Sequence, residues 1–232
     1  MTRIKICGLM SIEDIGRCCE AGVHALGFVV EYPREVPWNL DRYAARRLMQ
    51  SVPPFVTRVV VVGGDAGTVI ALTEFLRPDV IQLHGDEPPE ETARMVDGVK
   101  PYGVRVIKAL RFDVETGRCL RPFDDPWGAT RSIEGAGADA LLLDSASRLR
   151  PAGTGASIDW GLARSIRERA RLPVILAGGL DAGNVGRAVA VVDPYGVDVI
   201  SGVEGPVGQK DPRKVRAFVD ACRAEGLRPG LY

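Results

Sequence analysis

The chain has 232 residues with 30 basic and 30 acidic side chains, so its formal net charge is zero. That balance offers no basic face to a nucleic acid or a membrane surface, and a small or locally steered ligand is the expected partner. Five cysteines (Cys7, Cys18, Cys19, Cys119, Cys222) are odd in number and form no C-x-x-C pair, which speaks against a disulfide framework or a zinc knuckle and fits a reducing cytoplasm.

The opening MTRIKICGLM alternates like a strand, without a charged segment followed by an apolar one. No apolar run approaches the roughly 18 residues of a membrane span, so a soluble, untargeted chain is expected. Strand-like runs then recur along the chain: RIKIC (3–7), ALGFVV (25–30), VTRVVVV (56–62), VIQLH (80–84), VRVIKAL (104–110), ALLLD (140–144), VILA (174–177) and VDVIS (197–201). Helix-like stretches separate them, the pattern of βα units on a parallel sheet. Eight evenly distributed units in a chain of this length favour an α/β fold closed as a single (β/α)8 TIM barrel over residues 1–232, rather than an open doubly wound sheet.

The helices carry their own punctuation. In SIEDIGRCCEAG (11–22), Ser11 followed by Asp14 predicts an N-cap, and the spacing places Ile12, Ile15 and Cys19 on the buried face. Cys18 and Cys19 then read as packing residues. The stretch 113–138, rich in Gly, Pro and Asp, reads as an elaborated loop around a helix. DPRKVRAFVDACRAEG (211–226) has Asp211 as N-cap, Pro212 in the first turn, Val215, Phe218, Val219 and Cys222 at helical spacing, and Gly226 as a stop.

In such a barrel the C-terminal strand ends carry the chemistry. Those ends read Cys7, residues 30–34, His84, Lys108, Asp144, Gly178-Gly179 and Ser201-Gly202. AGGL and SGVE, after the seventh and eighth strands, sit where barrels hold a phosphate on backbone N–H groups, with glycine letting the anion approach. Strand alternation puts Arg3, Lys5 and Cys7 on one face and Ile4 and Ile6 on the other, so Cys7 points into the mouth. By the same parity Gln82 goes with His84 and Leu142 with Asp144. His24 falls at the start of the second strand, away from the mouth.

Six segments taken in order resemble the phosphoribosylanthranilate isomerases of tryptophan biosynthesis. They are KICGL (5–9), LGFVVEYPR (26–34), IQLHGDE (81–87), LLLDS (141–145) with AGTGASIDW (152–160), ILAGGLDAGNV (175–185) and DVISGVEGPVGQKD (198–211). AGG or SGV alone occurs in many phosphate-binding barrels, but the six together are specific and cover nearly the whole chain. The resemblance implies an Amadori rearrangement of N-(5-phosphoribosyl)anthranilate to the corresponding 1-deoxyribulose 5-phosphate. It implies that Cys7, matching the KICG cysteine, is the general base, and that Asp144, matching the LLD aspartate, is the general acid. Arg34 matches the arginine of the family's PR motif, placed to meet the anthranilate carboxylate. Gly155, Gly178, Gly179, Ser201 and Gly202 are expected at the phosphate, and His84 at the substrate as an orienting residue or a proton carrier.

A free thiol with a pKa of about 8.5 is only a few per cent thiolate at neutral pH, so the site is expected to depress that of Cys7. Lys5, two residues back on the same face, either contributes to this or simply forms an ion pair inside the barrel. The chain departs from the family pattern at Tyr32-Pro33, where Ser-Pro is usual, and in EVPWNL (35–40). Tyr32 or Trp38 is available to stack on an aromatic ring, and Trp38 reads equally as a packing anchor. GVEGPVGQKD (202–211) also departs, although Ser201 and Gly202 remain.

No organic cofactor and no metal is implied. A monomer or homodimer in the cytoplasm, acting on a small phosphorylated substrate without nucleic acid or membrane, is the expected setting. Rival readings are a dual-substrate sugar-phosphate isomerase of histidine and tryptophan biosynthesis, which would carry an aspartate at the end of the first strand, and a non-catalytic or altered-specificity phosphate-binding paralogue, kept open by the altered substrate loop. A metal-dependent epimerase barrel is disfavoured by a chain with two histidines.

Overall fold

A computed structural model describes residues 1–123, 125–146 and 157–226. The strands are β1 (Arg3–Ile6), β2 (Ala25–Val30), a short β3 (Asn39–Leu40), β4 (Thr57–Val62), β5 (Val80–Leu83), β6 (Arg105–Asp113), β7 (Ala140–Ala146), β8 (Val174–Leu176) and β9 (Gly196–Val199). All pairings between them are parallel, in the order β1-β2-β4-β5-β6-β7-β8-β9, and β9 pairs back with β1 to close the barrel. β3 lies outside this ring, beside β2.

Helices α1 (Ile12–Ala21), α2 (Arg42–Gln50), α3 (Ala66–Leu76), α4 (Pro89–Val99), α5 (Pro126–Gly135), α6 (Trp160–Arg169), α7 (Val185–Val192) and α8 (Pro212–Gly226) fill the connections. Ser11, Asp41, Asp65, Asp125, Asp159 and Asp211 each accept a first-turn backbone N–H, which aims these helices after their strands. A cap of this kind is worth about 1 kcal/mol. No described helix is long and apolar enough to cross a membrane.

Alternation along the strands sorts side chains into two cores. Ile4, Ile6, Leu141 and Leu143 join the large cluster between sheet and helices, whereas Ile107, Ala109, Ala140, Leu142, Ile175 and Ala177 fill the barrel interior. Two expectations are corrected. In α1 the buried positions are Asp14, Ile15, Cys18 and Ala21, while Ile12 is 62% exposed and Cys19 half-buried. The buried stripe runs through Ile15, Cys18 and Ala21, rotated by about one residue from the expected one, which leaves Ile12 on the solvent side.

The second concerns β6, which runs past Leu110 to Asp113. Lys108 is therefore not a mouth residue. It shares the outward parity of Val106 and Leu110 and forms a buried ion pair with Glu87 at 2.5 Å, also donating to the Gly85 carbonyl at 2.9 Å. Arg111, on the parity of Ile107 and Ala109, takes the place at the mouth.

Candidate active site

The C-terminal strand ends enclose one cleft, and Cys7, Arg34, His84, Asp144, Gly178, Gly179, Ser201 and Gly202 all line it. Gly155 lies outside the described residues. His24 sits at the opposite end, where its Nδ1 accepts from Ile4 N at 3.0 Å.

Cys7 follows β1 and is buried. Space for its Sγ comes from Gly27 on β2, where any Cβ would press into Cys7 Sγ and Lys5 Cε. Lys5 Nζ donates to Asp198 Oδ2 of β9 at 2.6 Å, with both residues buried, and its charge also acts on the Cys7 thiol. Lys5 thus does both things the sequence left open. The expected depression of the thiol is not found: burial pushes Cys7 up, and Lys5 only opposes that rise. Burial likewise pushes the packing thiols Cys18 and Cys222 up, to about 12, and Cys7 differs from them in lining the cleft beside the buried Lys5.

Asp144 extends the interior parity of Leu142 to the tip of β7, with its side chain 21% exposed. Ser145 N donates to its Oδ1 at 2.8 Å, and His84 Nε2 lies 3.2 Å from its Oδ2. Gln82 Nε2 stands 3.2 Å from His84 Nδ1. With the Gln82 amide donating there, the imidazole presents its Nε2–H to the carboxylate.

The loops after β8 and β9 form a cradle of backbone. Gly178 and Gly179 have φ of 82° and 60°, conformations that L side chains rarely adopt. A Cβ on Gly178 would strike Ser145, and one on Gly202 would strike the Leu180 carbonyl. Asn184 Nδ2 donates to the Gly179 carbonyl at 2.8 Å and holds the loop in place. Ser201 opens a 3-10 turn, Ser201–Val203, beside the glycines, and the backbone N–H groups at the start of such a turn suit an anion. Replacing Gly179 with Val is expected to raise KM for a phosphorylated substrate roughly tenfold or more, the scale of one lost hydrogen bond to a charged group. Gly64→Val is the control, because Gly64 has φ of 112° and open space around it, outside the cradle. A steady-state comparison showing equal rises in KM would remove the cradle from phosphate binding.

Across the mouth the lining turns apolar. Cys7, Val29, Trp38 and Val61 pack together with Tyr32, Val36 and Ile200. Trp38 is an anchor: its Nε1 donates to Glu204 Oε1 at 2.8 Å, and Lys210 Nζ reaches the same oxygen at 2.8 Å. This ties the loop after β2 to the loop after β9, while Tyr32 OH donates to the His84 carbonyl at 2.9 Å. Arg34 sits on the rim, bound to Asp86 Oδ2 at 2.7 Å. Arg111 reaches the other oxygen of Asp86 from β6.

Sequence reasoning missed Arg111, Asp198 and Ser145 in this cleft. The signal for Arg111 was the alternation Ile107, Ala109, Arg111, and the signal for Asp198 was its place on the eighth run. Ser145 Oγ and Asp198 Oδ1 are buried without a hydrogen-bond partner among the described residues.

Barrels that hold an anion at their last two strand ends and titratable groups over the others act on small phosphorylated molecules, and this fold and cleft put the chain in that class of enzyme. The family model described as N-(5'phosphoribosyl)anthranilate (PRA) isomerase matches residues 4–221, and the chain belongs to that family, an enzyme family of tryptophan biosynthesis. An N-(5'-phosphoribosyl)anthranilate isomerase of Methanocella arvoryzae is 40% identical over 224 residues, covering 96% of this chain and 99% of the relative. One from Pseudomonas putida is 41% identical over 222 residues, covering 95% and 97%. The crystal structure of phosphoribosyl anthranilate isomerase from Thermotoga maritima is 30% identical with a TM-score of 0.77, over 97% of this chain and 100% of that one.

Proposed function

We propose that the chain converts N-(5-phosphoribosyl)anthranilate to 1-(2-carboxyphenylamino)-1-deoxyribulose 5-phosphate, with Asp144 as general acid and Cys7 as general base. The observation that carries the reading is that a thiol from the end of β1 and a carboxyl group from the tip of β7 line one cleft with a glycine cradle. Asp144 protonates the furanose ring oxygen, the C1–O bond breaks and the nitrogen lone pair forms a Schiff base. The Cys7 thiolate then takes the C2 proton, giving an enaminol that tautomerises to the ketone as C1 gains a proton and the C2 hydroxyl loses one. Lys5 stays beside Cys7 as a compensating cation throughout. His84 orients Asp144, and Gly178, Gly179, Ser201 and Gly202 hold the phosphate.

The test is a fluorescence assay following loss of the anthranilate substrate with purified protein. Protein-dependent loss, saturable in substrate, is the expected result. Loss no faster than in buffer would overturn the reading.

A further inference from the structure

We propose that Trp38 is a positioning residue that couples two sides of the cleft: filling the phosphate cradle orders the loop after β2 through the contact of Trp38 with Glu204. The inference deepens the function proposed above and rests on where that reading puts the phosphate.

The two loops are close in space and far apart in sequence. The cradle stands on the ends of β8 and β9, and β2 lies two places round the ring from β9, beyond β1. The loop after β2 supplies Tyr32 and Val36 to the apolar side of the cleft. It has little of its own to hold it. Of residues 31–40 Trp38 alone is buried, at 5% exposed, while Pro33, Arg34, Glu35 and Pro37 stand in solvent. The Asn39 side chain closes the base of the loop on the backbone of Tyr32, at 2.8 and 2.9 Å. At the tip, the exposed ion pair of Arg34 with Asp86 is screened by water and holds weakly. The order of the loop therefore depends on what Trp38 grips.

Trp38 grips the phosphate loop itself. The turn that opens at Ser201, where the anion is due, closes three residues later on Glu204, and that carboxylate accepts from Trp38 Nε1 at 2.8 Å. The turn is braced. Lys210 Nζ holds the same Glu204 oxygen at 2.8 Å and the Ile200 carbonyl at 3.3 Å, with the lysine and glutamate side chains 0% and 3% exposed, and Lys214 Nζ holds the Glu204 carbonyl at 2.6 Å. A displacement at one end of so short and braced a turn reaches the other. A hydrogen bond to a buried carboxylate is strong as well as directional, so the indole follows Glu204. The indole also lies against Gly8, where a Cβ would come within 3.0 Å of its Cγ and Cδ1, so the loop it steadies abuts the backbone that follows Cys7. By this route the binding energy of the non-reacting phosphate is used to order the walls around the reacting carbons.

Hydrogen exchange reads the coupling without turnover. Wild-type, Trp38→Phe and Tyr32→Phe proteins are exchanged into deuterated water with and without inorganic phosphate, and segments 34–39 and 201–205 are followed by mass spectrometry. Trp38→Phe keeps an aromatic ring in the apolar cluster and leaves Glu204 paired with Lys210, so no buried charge is stranded. Tyr32→Phe removes another anchor of the same loop, the hydroxyl that donates to the His84 carbonyl at 2.9 Å, and leaves the Trp38 contact alone. Phosphate should slow exchange in both segments of the wild type and of Tyr32→Phe, by about fivefold or more at 34–39, the low end of coupling between two sites. In Trp38→Phe it should slow 201–205 alone. A wild type protected at 201–205 but not at 34–39, a Trp38→Phe protein still protected at 34–39, or a Tyr32→Phe protein that loses the effect as Trp38→Phe does would overturn the proposal and leave the proposed activity standing. No protection at 201–205 in the wild type would sink the phosphate assignment itself and this inference with it.

Discussion

Asp144→Asn is expected to lower kcat by at least about 10²-fold, the usual scale for losing a general acid. Ring opening puts negative charge on the furanose oxygen unless a proton arrives as the bond breaks, and an amide of the same shape has none to give. The substitution spares the architecture, because the Asn carbonyl still accepts from Ser145 N, the donor that Asp144 Oδ1 uses at 2.8 Å. The side chain is also not part of either apolar cluster of β7. Thermal unfolding close to wild type together with collapsed single-turnover rates is the expected pair of results. KM should change less than kcat, since the glycine cradle and the apolar wall of the cleft are untouched. Near-wild-type turnover would take Asp144 out of the mechanism.

Much of this site was legible in the chain because two periodicities carry it. Runs of β-branched residues such as Val59–Val62 mark strands, and period-two alternation then aims Cys7, His84 and Asp144 into the mouth. The same alternation through Ile107 and Ala109 reaches Arg111, but only if β6 continues past Leu110, and nothing local requires that it do so. β3 has two residues, too short for any period. Pairings made by closure leave no local trace at all. Lys5 and Asp198 are 193 residues apart and meet because β9 returns to β1, and Trp38 meets Glu204 across 166 residues. The direction of the Cys7 shift depended on how deep the thiol lies, which residue type alone does not disclose.

Cys7→Ala is expected to match the loss in Asp144→Asn, at least about 10²-fold in kcat, and the pH dependence of the wild type should identify the thiol as the group lost. Burial holds Cys7 above its ordinary value while Lys5 pulls the other way, so the thiolate fraction in the free enzyme is small at neutral pH and grows with alkalinity. The profile of kcat/KM should therefore rise with pH, with its ascending limb above the ordinary thiol value of about 8.5. Removing Lys5 alone would strand Asp198 as a buried charge, so the cleaner variant is Lys5→Met with Asp198→Asn, which leaves a neutral interior. Of the two partners Lys5 acts more strongly on the thiol, and the limb in this double variant should move further toward alkaline pH. Stability carries the matching sign. A thiol whose folded pKa is raised contributes fully below the unfolded value and loses that contribution as pH climbs through the folded one. Denaturant midpoints of the wild type should accordingly fall in that alkaline window, and Cys7→Ala should fall less. A flat kcat/KM profile across the window, or a Cys7→Ala protein that still turns over, would show that another group takes the C2 proton.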